Sequence, residues 1–132
     1  MESQTRIGFV GVGRMGANMA RCLKEKGYTV AAVQDRRPGA AQSLARELSC
    51  QAVSSPAQVA ESCGVVLTVV TDDAAMDAVF SEQDSSGLLA HARDRLFINF
   101  ATVSPETHIE TEGRVRRHGG RNLEALMASS IP

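Results

Sequence analysis

Gly11, Gly13 and Gly16 stand in the spacing G-x-G-x-x-G inside RIGFVGVGRMGANMARCLKEKG, residues 6–27. Segments of this kind work through the main chain. The first glycine permits a tight turn out of a strand, the second lets the backbone approach a pyrophosphate, and the third lets the next helix pack close to the strand. Amides at the start of that helix, those of Arg14 and Met15 included, then face the phosphates with the helix dipole behind them. The spacing is short, and a glycine-rich turn without a ligand is the plainer reading of it. Position favours the ligand: the glycines follow an apolar run, Arg6–Val10, and open a stretch of helical spacing.

About twenty residues further on, at the end of the second strand, such sites place an acid on the ribose 2′-hydroxyl of NAD or an arginine on the 2′-phosphate of NADP. The chain offers Gln34-Asp35-Arg36-Arg37. Asp35 favours NAD, Arg36 and Arg37 favour NADP, and the cofactor stays open between the two. Other candidates for chemistry are few. His91, His108 and His118 fall on polar helix or loop positions without a partner acid, and read as surface residues. Cys22, Cys50 and Cys63 lack C-x-x-C spacing and read as reduced packing residues. Lys24 and Lys26 belong to the first helix, away from the strand ends where chemistry occurs. The expectation is therefore no catalytic residue and no metal site in this chain.

The elements that must hold these residues alternate. Apolar positions Met15, Met19, Cys22 and Leu23 predict the inward face of the first helix, and Gly27 its C-terminal stop. Strands are predicted at 28–33, near 50–53, at 65–70, at 95–100 and at 122–127. Pro38, Ser55-Pro56, Asp72 or Asp73, and Ser104-Pro105 predict the helix starts between them. The continuous apolar run Val65–Val70 suits a strand covered on both faces. Glu110 and Glu112 stand four residues before Arg114 and Arg116, which predicts a solvated, paired helix face rather than a phosphate patch. About six strands with helices on both faces make a doubly wound parallel α/β sheet, and residues 1–132 read as one dinucleotide-binding domain.

Composition agrees. The 132 residues are 43% hydrophobic and 22% charged with a formal net charge of −1, which argues against a nucleic-acid partner. No apolar run approaches the ~20 residues that cross a bilayer, so no membrane role is expected and a cytoplasmic location is the default.

The stretch Ile7–Gly27 resembles the opening of the 3-hydroxyisobutyrate dehydrogenase family of β-hydroxyacid dehydrogenases, which favours G-x-G-x-M-G followed by x-x-M-A. Three later stretches are similar to family segments in the same order: Val65–Asp72 to its central strand and loop, Ile98–Glu106 to D-x-S-T-x-S-P, and Leu123–Ser130 to D-A-P-V-S-G-G. The resemblance implies a Rossmann domain in an enzyme passing hydride between NAD or NADP and a small hydroxyacid or semialdehyde. It also implies that Thr71 and Asp72 line the adenosine side, that Thr102 sits near nicotinamide and substrate, and that Ser129 and Ser130 stand at the substrate carboxylate.

Asn99, Ala101 and Ala128 depart from the family pattern. The family's catalytic lysine belongs to a later helical domain that these residues do not include, so the chain alone is expected to bind cofactor without turnover. A non-catalytic dinucleotide-binding sensor or assembly module is the other reading. The sixth strand is expected to be an exposed edge, with Leu123, Leu126 and Met127 short of part of their cover, and self-association into homo-oligomers is expected through that edge or through an uncovered domain interface.

Overall fold

The computed structural model describes residues 4–125. Along them run β1 (Arg6–Val10), α1 (Arg14–Glu25), β2 (Thr29–Gln34), α2 (Pro38–Leu48), β3 (Gln51–Ala52), α3 (Pro56–Ser62), β4 (Val65–Thr68), α4 (Asp73–Val79), β5 (Leu96–Asn99), α5 (Pro105–Arg117) and β6 (Arg121–Glu124), with a 3-10 turn at Leu88–His91. The strands pair in parallel in the order β3-β2-β1-β4-β5-β6. The chain works outward from β1 to one edge, returns beside β1 as β4, and works outward to the other. The reversal between β1 and β4 opens a crevice at the strand ends, as the doubly wound sheet expected from sequence requires.

Alternation along each strand feeds two cores. Phe9, Val33 and Leu67 meet α1 and α2 through Ala17, Ala20, Leu44 and Leu48. Val10, Val66 and Phe97 meet α3, α4 and α5 through Val59, Met76, Phe80 and Val115. The rings of Phe80 and Phe97 pack edge to face with centroids 5.6 Å apart, the arrangement that their quadrupoles prefer.

Helix starts follow local chemistry. Ser55 and Gln58 form a reciprocal capping box at α3, Asp72 accepts from the Ala75 amide at α4, and Ser104 accepts from the Thr107 amide at α5. On α5, Arg114 and Arg116 pair with Glu110 and Glu112 as the spacing predicts, while Arg117 reaches Glu82 at 3.0 Å.

Two expectations are corrected. The face Met15, Met19, Cys22 and Leu23 is only partly the inward face of α1: Met19 and Leu23 are half-buried against the core, but Met15 is 44% exposed, Cys22 is exposed, and the fully buried residues are Gly16, Ala17 and Ala20. The cause is a close approach, since a Cβ on Gly16 would lie 2.2 Å from the Gly11 carbonyl oxygen and only small side chains fit that contact. Cys50 and Cys63, half-buried and buried, do pack. The strand at 65–70 ends at Thr68, which leaves Val69 and Val70 to turn toward the crevice.

Cover is uneven. Ile98 and Phe100 are half-buried on the α1 and α2 side, and Leu123, paired with Ile98 across β5 and β6, is 54% exposed. α5 packs on β6 from the other side. Leu126 and Met127 lie outside the described residues.

Candidate dinucleotide site

β1 ends at Val10, and the Gly11 amide donates to the Gln34 carbonyl at 2.9 Å, tying the turn to the end of β2. Gly11 has φ +95°, and a Cβ there would lie 2.2 Å from the Val69 carbonyl oxygen. Backbone conformation and packing both demand glycine. Gly13 differs. Its φ of −65° and ψ of −166° are extended backbone open to any residue, and an added Cβ would meet only Arg37 Nη2 at 3.8 Å. The fold does not require glycine here; a ligand approaching the main chain would. Gly13 also brings no side chain to cap α1, so the first-turn amides have no capping side chain and carry the positive end of a twelve-residue helix.

A cavity of about 710 Å³ opens at this point. Gly11 and Gly13 form one wall, Asp35, Arg36 and Arg37 the next, and Val69, Val70, Thr71 and Asp72 the floor; Ala74, Ala75 and Ala78 of α4 continue toward Asp84, Ser86 and Gly87. Asp35, with only 11% of its side chain exposed, bridges the first two walls. Its Oδ2 accepts from the Val12 amide at 2.8 Å, and its Oδ1 accepts from the Arg37 amide at 2.9 Å and from Arg37 Nε at 3.4 Å. Burial alone would raise the Asp35 pKa, but the hydrogen bonds from Arg37 and Val12 outweigh it and hold the carboxyl below its ordinary value. An ionised acceptor is thereby fixed on the cavity wall at the end of β2.

The structure therefore brings Gly11, Gly13, Asp35, Arg36, Thr71 and Asp72 into one cavity. Gly16 lies behind it, buried against Gly11. Arg14 and Met15 are exposed on the first turn of α1, outside the lining. Thr102 is exposed on the loop after β5, also outside the lining. Ser129 and Ser130 lie outside the described residues. Arg37 joins the wall as directly as Arg36, which its place beside Asp35 already suggests. The loop at Asp84–Gly87 was not foreseen, because a polar stretch between two helical segments has no periodicity to show which way it folds.

Beside the cavity a polar chain crosses three strands. Buried Thr68 Oγ1 donates to Asn99 Oδ1 at 2.6 Å, and Asn99 Nδ2 donates to Asn122 Oδ1 at 2.8 Å. Asp73 Oδ1 accepts from the Ser104 amide at 2.9 Å and so ties the loop carrying Thr102 to α4. His108 corrects another expectation. Its side chain is 15% exposed, with Nδ1 3.1 Å from Glu124 Oε1, because α5 lies flat on β6. His91 and His118 are surface residues facing Glu61 and Glu82. Among the described residues no group of three His, Cys, Asp or Glu is placed to hold a metal, and no helix is long and apolar enough to cross a membrane.

A main-chain cradle for an anion at the point where strand order reverses, with an ionised acid one strand away, is the working end of a dinucleotide-binding Rossmann domain. Residues 6–126 match the family model described as the NAD binding domain of 6-phosphogluconate dehydrogenase, and the chain belongs to that family. It is 29% identical over 126 residues to the mitochondrial 3-hydroxyisobutyrate dehydrogenase of Drosophila melanogaster, covering 96% of this chain and 37% of the relative. It is 32% identical over 127 residues to the cytokine-like nuclear factor N-PAC of Danio rerio, covering 95% of this chain and 26% of that protein. The solved 3-hydroxyisobutyrate dehydrogenase of Mycobacterium tuberculosis with L-serine superposes with a TM-score of 0.83 at 27% identity, over 97% of this chain and 42% of that one. The chain spans just over a third of the length of its curated dehydrogenase relatives.

Proposed function

We propose that this domain serves an oxidoreductase that transfers hydride between a nicotinamide dinucleotide and a small β-hydroxyacid or its semialdehyde. The observation that carries the cofactor part is Gly13: a glycine that neither backbone nor packing requires, facing the cavity at the bare N-terminus of α1. The substrate class rests on the relatives that bear the dehydrogenase name. When bound, the dinucleotide supplies the hydride donor or acceptor; the chain supplies placement. Gly11, Gly13 and the amides of Arg14 and Met15 hold the pyrophosphate, with Gly16 setting the helix behind them. Asp35 accepts from the adenosine ribose. Thr71 and Asp72 line the same half, and Thr102, with Ser129 and Ser130, belongs to the nicotinamide and substrate side.

NAD is preferred over NADP in this reading. The Asp35 carboxylate is ionised and nearly buried, and a 2′-phosphate beside it would be repelled, while Arg37 is already drawn onto Asp35. A cytoplasmic location agrees with three free thiols, Cys22, Cys50 and Cys63. The test is calorimetric titration of the 132-residue chain with NAD+ and NADP+. Binding of NAD+ at the lower Kd is expected, with no oxidation of 3-hydroxyisobutyrate by the chain alone. Absence of binding to either dinucleotide refutes the proposal.

A non-catalytic dinucleotide-binding sensor or assembly module is the second reading. It is favoured by Ala101 and Asn99, which depart from the pattern of the dehydrogenase family, and by the similarity to a protein named as a nuclear factor. Reading the gene past the Pro132 codon separates the two: a long apolar helix with a G-K-x-x-N segment supports the enzyme, and a stop codon supports the module.

A further inference from the structure

The reading above leaves the far end of the cavity without a role. With a pyrophosphate at Gly11 and Gly13 and a ribose at Asp35, the cavity continues along Ala74, Ala75 and Ala78, three small side chains that give a purine a smooth apolar wall. It closes at the loop after α4. That loop is built rather than loose. The Ser86 carbonyl accepts from the Ala57 amide at 2.9 Å, and the Gly87 amide donates to the Asp84 carbonyl at 3.0 Å. Asp84 Oδ1 accepts both the Ser86 amide at 2.9 Å and the Ser86 hydroxyl at 2.6 Å. Its Oδ2 has no hydrogen-bond partner among the described residues.

Resting on the dinucleotide reading, we infer that Asp84 accepts a hydrogen bond from the exocyclic amino group of adenine and makes this end of the cavity selective for adenine over 6-oxopurines. A carboxylate can only accept. The amino group of adenine donates, whereas the 6-oxo group of hypoxanthine would turn an acceptor toward an acceptor. The Ser86 hydroxyl and amide hold the Asp84 carboxyl below its ordinary pKa, which keeps it an acceptor at neutral pH. They also engage Oδ1, leaving Oδ2 as the free oxygen of a carboxylate that lines the cavity.

The experiment compares NAD+ with nicotinamide hypoxanthine dinucleotide by calorimetry on the unaltered chain and on Asp84→Asn. Asparagine keeps its oxygen for the Ser86 amide, so the turn persists, and leaves its NH2 group as a donor that suits a 6-oxo group rather than an amino group. The unaltered chain is expected to bind NAD+ about tenfold more tightly, and the gap to fall to about twofold or less in Asp84→Asn through tighter binding of the hypoxanthine dinucleotide. Equal affinities in the unaltered chain overturn the inference, as does a gap that survives in Asp84→Asn. Failure of both dinucleotides to bind is a different result, and removes the cofactor reading on which the inference rests.

Discussion

The three loop glycines are answerable to different constraints. Gly11→Ala forces a side chain into a positive φ and onto the Val69 carbonyl, and Gly16→Ala drives one onto the Gly11 carbonyl. Each is expected to destabilise the chain by about 2 kcal/mol or more, measured by urea denaturation. Gly13→Ala meets no such clash and, at the N-cap of α1, is expected to cost about 1 kcal/mol or less, yet to weaken NAD+ binding by about tenfold or more if its Cβ stands where the proposed pyrophosphate sits. A Gly13→Ala chain that binds NAD+ as before would remove the main support for the site.

Asp35 adds a pH dependence of known sign. Its folded pKa lies below the unfolded value, so its contribution is complete above the unfolded carboxylate range and is lost as pH falls through the folded value. Asp35→Asn should therefore flatten the acid limb of the stability curve, and the difference between the two chains should vanish at low pH.

At the scale of elements, the sequence was most informative where local chemistry acts alone. Ser55, Asp72 and Ser104 each announce a helix start, and each caps one in the structure. The order of strands and helices was legible for the same reason, since period and caps are local. The buried face of α1 was legible only in part, at Met19 and Leu23. Hydrophobicity points to Met15 and Cys22, but the separation between helix and strand is set by Gly16 against Gly11, a contact between backbones that no side-chain pattern records. In the site, the glycines and Asp35 could be read from spacing, whereas Asp84 and Ser86 reach the cavity only through a loop docked on the start of α3.

The polar chain through Thr68, Asn99 and Asn122 could not be read either, because it exists only once β4, β5 and β6 are in register. Asn99→Ala strands the buried Thr68 hydroxyl and releases Asn122. It is expected to cost about 1–3 kcal/mol and to speed hydrogen exchange in β6 ahead of β1 and β2.

At the scale of the molecule, among the described residues, the sheet is well covered from β2 to β4 and bare at one corner. Ile98, Phe100 and Leu123 present apolar surface on the α1 and α2 side of β5 and β6, at an edge with free backbone groups. Concentration-dependent self-association is expected by sedimentation, reduced by Leu123→Lys, while a monomer at all concentrations would contradict it. The cavity stands at the reversal itself, between the ends of β1, β2 and β4, while Thr102 lies beyond it, on the loop after β5. Under the proposed function, grip and use of a cofactor fall to separate parts of one sheet. On that reading, a change at a position such as Ala101, outside the cavity, would leave the grip whole whatever it did to a reaction, and the same fold would serve a catalyst or a silent reader of the nucleotide pool.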